Sequence, residues 1–143
     1  AVAYLKRNGA DNTRIRKMFR SNPAEYLLRA QAISRAEIFE YSYAITTLQA
    51  DNTSLITPAT GAKVANSLLE MDNIKASFVC FPYKSQIYVN ARSIDDVNVQ
   101  IIMEKLGGGG HLSAAAAQLD CSVEDAVHKI KETLKTMLKD GDI

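Results

Sequence analysis

Arg92, Ser93 and the run Gly107-Gly108-Gly109-Gly110-His111 are the residues whose types and spacing suggest chemistry in this chain of 143 residues. An interior glycine costs roughly 0.5–1 kcal/mol of backbone entropy relative to alanine, so four together need a reason. One caps a preceding helix. The other three allow a chain that alternates the sign of φ, approaches a ligand closely and turns successive backbone N–H groups onto one anion. His111 adds a side-chain donor at the rim of such a loop. Arg92 adds an N–H fork that suits the two free oxygens of a phosphodiester, and Ser93 a hydroxyl beside it. A solvated turn and an exposed strand-end arginine are the plain alternatives.

Other chemistry is missing. Asp95 and Asp96 are paired carboxylates, but they stand just ahead of a helix whose N-terminus they favour electrostatically, with Asn98 as its N-cap. His128 shares a helix face with Glu124, Lys131 and Lys135 and is expected to be solvated. The two histidines have no clustered Asp or His partners, so no metal site assembles, and no nucleophile stands beside a base. Cys80 lies in an apolar run and reads as core, while Cys121 precedes a helix. Both are expected to be free thiols of the cytoplasm. What remains is a binding surface without a catalytic centre.

The elements that would position these residues follow from hydrophobic period. Val2 and Leu5 before Asn8-Gly9 read as the last turn of a helix, and Asn12 or Asp11 caps a short basic one through Phe19. Asn22-Pro23 opens a third helix that reaches about Ala36. From Phe39 the period changes to two, which predicts a first strand over Phe39 to Leu48, with Phe39, Tyr41, Tyr43 and Ile45 on one side. Thr57-Pro58 restarts a helix with Val64, Leu68 and Met71 as its buried stripe. Ala76 to Phe81 is almost continuously apolar, as a central strand requires. Pro82 to Ser85 reads as a hairpin turn, followed by an antiparallel strand from Gln86 to Arg92. Val99, Ile102, Met103 and Leu106 predict a helix ending just before Gly107. Ala114 to Leu119 is ambiguous and is read as a strand. Ser122 to Asp125 is a capping box that opens a helix closing at Gly141. The expected fold class is α/β, a mixed β-sheet packed by helices and preceded by a helical linker segment.

Charge narrows the function. The chain holds 17 basic and 16 acidic residues, but residues 1 to 37 carry eight Lys/Arg against three Asp/Glu, leaving nine basic and thirteen acidic residues beyond. A mildly acidic main domain suits a small phosphorylated ligand better than a long nucleic-acid backbone. No apolar run of about eighteen residues and no secretory leader is present. The absence of an initiator methionine and the interrupted first helix suggest a piece of a longer protein.

Ala91-Arg92-Ser93, the run from Asn98 to Leu106, Gly107 to His111, and Ala115-Ala116 together resemble the C-terminal DHH-associated domain of DHH phosphoesterases. Within that family the branch they resemble most is the GdpP type, membrane-bound cyclic-di-AMP phosphodiesterases. The resemblance covers the whole chain. It implies a hydrolase that converts cyclic-di-AMP to linear pApA, in which a DHH domain holds two manganese ions and the associated domain closes over the substrate. Residues 1 to 37 then correspond to the end of the DHH domain and its linker, and residues 38 to 143 to the associated domain. Arg92, Ser93, Gly108, Gly109, Gly110 and His111 are the implied substrate-binding residues. The DHH metal motifs do not occur here, so no metal ligand is carried over and the fragment alone is expected to be inactive.

Two residues depart from the family pattern: Asn90 replaces a serine common before the Arg-Ser pair, and Ala116 a glycine. The implied partners are a cyclic dinucleotide and the protein's own DHH domain, with a homodimer left open. The implied location is the cytoplasmic side of a protein anchored in the cell membrane. Similar associated domains also occur in exonucleases of very short RNAs and in alanyl-tRNA synthetase, so a nucleic-acid-binding module is one alternative, and a purely structural dimerisation module is another.

Overall fold

Lys84 and Ser85 both take positive φ, 50° and 67°, which is the signature of a two-residue hairpin whose twist matches its strands. In the computed structural model, which describes residues 22–94 and 97–143, this turn joins β3 (Ala76–Tyr83) to β4 (Gln86–Ser93). The turn is shorter than the expected Pro82 to Ser85: Pro82 and Tyr83 stay in the ladder opposite Ile87 and Gln86. The other elements, in chain order, are α1 (Pro23–Ser34), β1 (Glu37–Phe39), β2 (Tyr43–Thr47), a 3-10 turn (Thr53–Leu55) and α2 (Pro58–Leu68) ahead of β3. After β4 come α3 (Val99–Lys105), β5 (Gly109–Gly110), β6 (Ala114–Leu119) and α4 (Val123–Asp140). The helices expected over residues 1 to 20, and Asp95-Asp96, lie outside the described residues.

Among the described residues, six strands form one mixed sheet in the order β1-β2-β3-β4-β6-β5. Only β2 and β3 run parallel, joined by the crossover through α2. Both sheet faces are covered over β3, whose first six residues are all buried. On one face Phe78, Cys80, Val89 and Ala91 pack against Ile102 and Met103 of α3 and against Ile130, Leu134 and Met137 of α4. On the other, Val79 and Phe81 pack against Val64 and Leu68 of α2 and Leu28 and Ala32 of α1. Two buried hydroxyls tie these helices down: Ser77 donates to the Ala65 carbonyl at 2.7 Å and Thr46 to the Ala32 carbonyl at 2.6 Å. A buried hydroxyl left unpaired would cost about 1–3 kcal/mol, so these bonds fix where the helices can dock.

Two further expectations change. The first strand is a hairpin: the chain reverses at Glu40 and Tyr41, both at positive φ, and β1 returns antiparallel to β2 with Phe39 opposite Tyr43. Tyr41 is 89% exposed. Alternating residues read alike whether the chain runs straight or folds back, and neither turn residue announces the reversal. Met71 also leaves the buried stripe, because α2 stops at Leu68 and Met71 stands 37% exposed beyond it. Within the described residues, the expected ends of α3 and α4 hold. Asn98 accepts from the Gln100 and Ile101 amides, Ser122 accepts from the Asp125 amide, and Gly141 ends α4 in the left-handed region.

Candidate functional site

Gly107 follows α3 at φ +85°, with its amide bonded to the Glu104 carbonyl and the Gly108 amide to the Met103 carbonyl. This paired closure is the Schellman motif, and it uses two of the run's four amides within the helix end. A Cβ at Gly108 would lie 2.1 Å from the Ala116 carbonyl oxygen, so this residue is glycine because α3's exit crosses tightly over β6. Gly109 and Gly110 form β5, an edge strand opposite Ala116 and Ala115. The loop is therefore not the converging nest of N–H groups that the glycines suggested. The His111 amide bonds the Ala114 carbonyl at 2.7 Å. By the alternation of an antiparallel ladder, Gly109's amide turns towards Ala116 and Gly110's turns outward at the sheet edge. Gly110 takes φ +145°. Gly109 has ordinary φ and open space around its missing Cβ, so nothing in the fold itself requires glycine there.

Register brings the expected residues together. Arg92 stands opposite Ala114 on β6, and Ala114 in turn closes the β5–β6 hairpin with His111. Arg92 and His111 therefore flank the same end of the sheet, with their backbones two strand spacings, about 10 Å, apart. His111 is exposed and Arg92 half-buried. On this side of β6, Ala114 and Ala116 are half-buried and Gln118 exposed, while Ala115, Ala117 and Leu119 on the other side are buried. The floor between the arginine and the histidine is thus a low strip of alanine. Ser93 is buried, its hydroxyl donating to the Leu112 carbonyl at 3.3 Å and its amide to the Ser113 carbonyl at 3.0 Å. With Val99's amide also on Leu112, it pins the turn that carries His111.

Asn90 is the residue that sequence reasoning passed over, noting it only as a departure from pattern. It lies two positions before Arg92, hence on the same face of β4, and its Oδ1 accepts from Arg92 Nη1 at 2.9 Å. That same-face spacing was the available signal. The Ala91 carbonyl accepts from Nη1 as well, at 3.0 Å.

The other candidates stay out of the site. Burial pushes the Cys80 thiol up to about 12, with Cys121 nearby adding to the shift, so Cys80 is a protonated core residue. His128 sits exposed on α4, 3.9 Å from Glu132. Among the described residues, no three His, Cys, Asp or Glu side chains gather into a group able to hold a metal ion.

The family whose profile matches the chain is the DHHA1 domain, over residues 41–140. The chain is 39% identical over 143 residues to the cyclic-di-AMP phosphodiesterase GdpP of Geobacillus thermodenitrificans, covering 99% of this chain and 21% of that protein. It is 35% identical over 128 residues to the cyclic-di-AMP phosphodiesterase PdeA of Listeria monocytogenes, covering 88% of this chain and 19% of that protein. The chain thus spans about a fifth of the length of these relatives. In fold it is similar to an exopolyphosphatase-related protein of Bacteroides fragilis, with a TM-score of 0.75 at 18% identity, covering 82% of this chain and 36% of that one.

Proposed function

Since the chain belongs to the DHHA1 domain family, we propose that it is the substrate-gripping domain of a phosphodiesterase that opens cyclic-di-AMP to linear pApA. The observation that carries this reading is the end of the sheet where Arg92 and His111 flank a low alanine floor. Arg92 supplies a charge-assisted fork for the phosphodiester oxygens. His111 and the outward Gly110 amide add donors from the opposite strand. Ser93 holds the turn that presents them. The work of these residues is to bind and orient one phosphate, and so to hold the scissile bond still while water is delivered to it.

Hydrolysis needs an activated water, and the described residues do not fit a manganese pair, since no cluster of ligands gathers among them. We assign both manganese ions to a DHH domain elsewhere in the protein, where they would lower the pKa of a bound water. Residues 1 to 37 are then the end of that domain and its linker, and residues 38 to 143 the associated domain. On this reading the chain by itself is inactive, and a homodimer remains compatible with it. No described helix is long and apolar enough to cross a membrane. Anchoring of the whole protein, with this domain on the cytoplasmic side, is accordingly assigned to other segments.

The test is a calorimetric titration comparing cyclic-di-AMP, linear pApA and a single-stranded dodecanucleotide. Saturable binding of the dinucleotides is expected. Saturable binding of the dodecanucleotide alone would overturn the reading in favour of a nucleic-acid module.

A further inference from the structure

We propose that Asn90 is a positioning residue, which fixes the edge of the Arg92 guanidinium that faces the substrate. The inference rests on the reading of Arg92 as a phosphate contact. Asn90 is 4% exposed and makes two hydrogen bonds of opposite sense. Its Nδ2 donates to the Pro58 carbonyl in the first turn of α2 at 3.0 Å, and its Oδ1 accepts from Arg92 Nη1 at 2.9 Å. A carbonyl on one side and a guanidinium on the other leave the amide one orientation, because only one of its ends donates.

The consequence lies in Arg92. Nη1 carries two hydrogens, and with Asn90 and the Ala91 carbonyl at 3.0 Å both have partners. What remains is the edge formed by Nε–H and one Nη2–H, two parallel donors at the spacing of two non-bridging phosphate oxygens. No described residue bonds that edge. Without Asn90 the guanidinium keeps only the Ala91 carbonyl and turns more freely, so the fork is no longer aimed before substrate arrives. α2 enters the site by the same route, since its Pro58 carbonyl holds the amide that holds the arginine.

The experiment is a double-mutant cycle in the intact protein with its catalytic domain, reading KM and kcat for cyclic-di-AMP together with melting temperature. Arg92→Ala, Asn90→Ala and the double variant are compared with wild type. Asn90→Ala is expected to raise KM about five- to twentyfold. On top of Arg92→Ala it should add less than about twofold, because no guanidinium is left to aim. Should Asn90→Ala fail to fold, Asn90→Thr runs the same cycle: its β-branched side chain suits a strand and cannot reach both partners. An equal effect of the Asn90 substitution in both backgrounds would make it a structural residue only and overturn the proposal. A raised KM in Arg92→Ala with none in Asn90→Ala removes the Asn90 inference alone. Wild-type kcat and KM in Arg92→Ala remove the phosphate reading beneath it.

Discussion

Gly108 and Gly109 are neighbours of identical composition with opposite roles, and the difference is testable. A methyl group at Gly108 would lie against the β6 backbone, where nothing can swing aside, whereas at Gly109 it meets open space. Gly108→Ala is expected to destabilise the fold by about 1–3 kcal/mol, read as a fall of several degrees in melting temperature. Gly109→Val should leave the melting temperature near wild type and still weaken dinucleotide binding, since its bulk stands beside Arg92 and His111 on the approach side. Equal melting temperatures for the two variants would contradict the account. Within the run, positive φ falls on Gly107 and Gly110 and not on Gly109. That Arg92 and His111 share one end of the sheet was legible, because the arginine ends a strand signal and the histidine ends a glycine loop. The Asn90 bond to Arg92 was not, since two residues on one strand face need not touch unless their rotamers are set by neighbours such as Pro58.

At the scale of elements, the local signals at the ends of α3 and α4 were read correctly, where a specific side chain or glycine closes the helix. Asn98 is the clearest case: α3 is only seven residues long, and this one side chain takes two of its orphan amides. Asn98→Ala should cost about 1 kcal/mol, measured as a lower urea midpoint with unchanged slope. An unchanged midpoint would mean that packing of Ile102 and Met103 alone holds the helix that leads into the glycines. The Glu40–Tyr41 reversal was illegible because turns at positive φ are ordinarily signalled by Gly or Asn, and this one carries neither. The alanine run of β6 is a strand despite helix-favouring residues, since it fills the gap between β4 and β5 and takes ladder bonds from both. Small side chains there also keep the floor beside Arg92 low.

For the whole molecule, the sheet divides labour between its faces and edges. Helices cover both faces over β3, and the side of β6 that carries Ala114, Ala116 and Gln118 is left more open, next to the edge where His111 turns. That asymmetry was not available from periodicity, which assigns faces within a strand but not the order of strands. The chain is about a fifth of its relatives, so its proposed part in catalysis is to hold substrate for a centre on another domain. The most direct test is turnover of cyclic-di-AMP by the intact protein carrying Arg92→Ala or His111→Ala, with Lys129→Ala as an exposed control and melting temperature measured for each. If each side chain makes a charge-assisted bond to the phosphodiester, each loss should cost about 1.5–3 kcal/mol, or roughly ten- to hundredfold in kcat/KM, at near wild-type melting temperature. Wild-type kcat/KM in both variants would show that this end of the sheet is only a turn and would contradict the account.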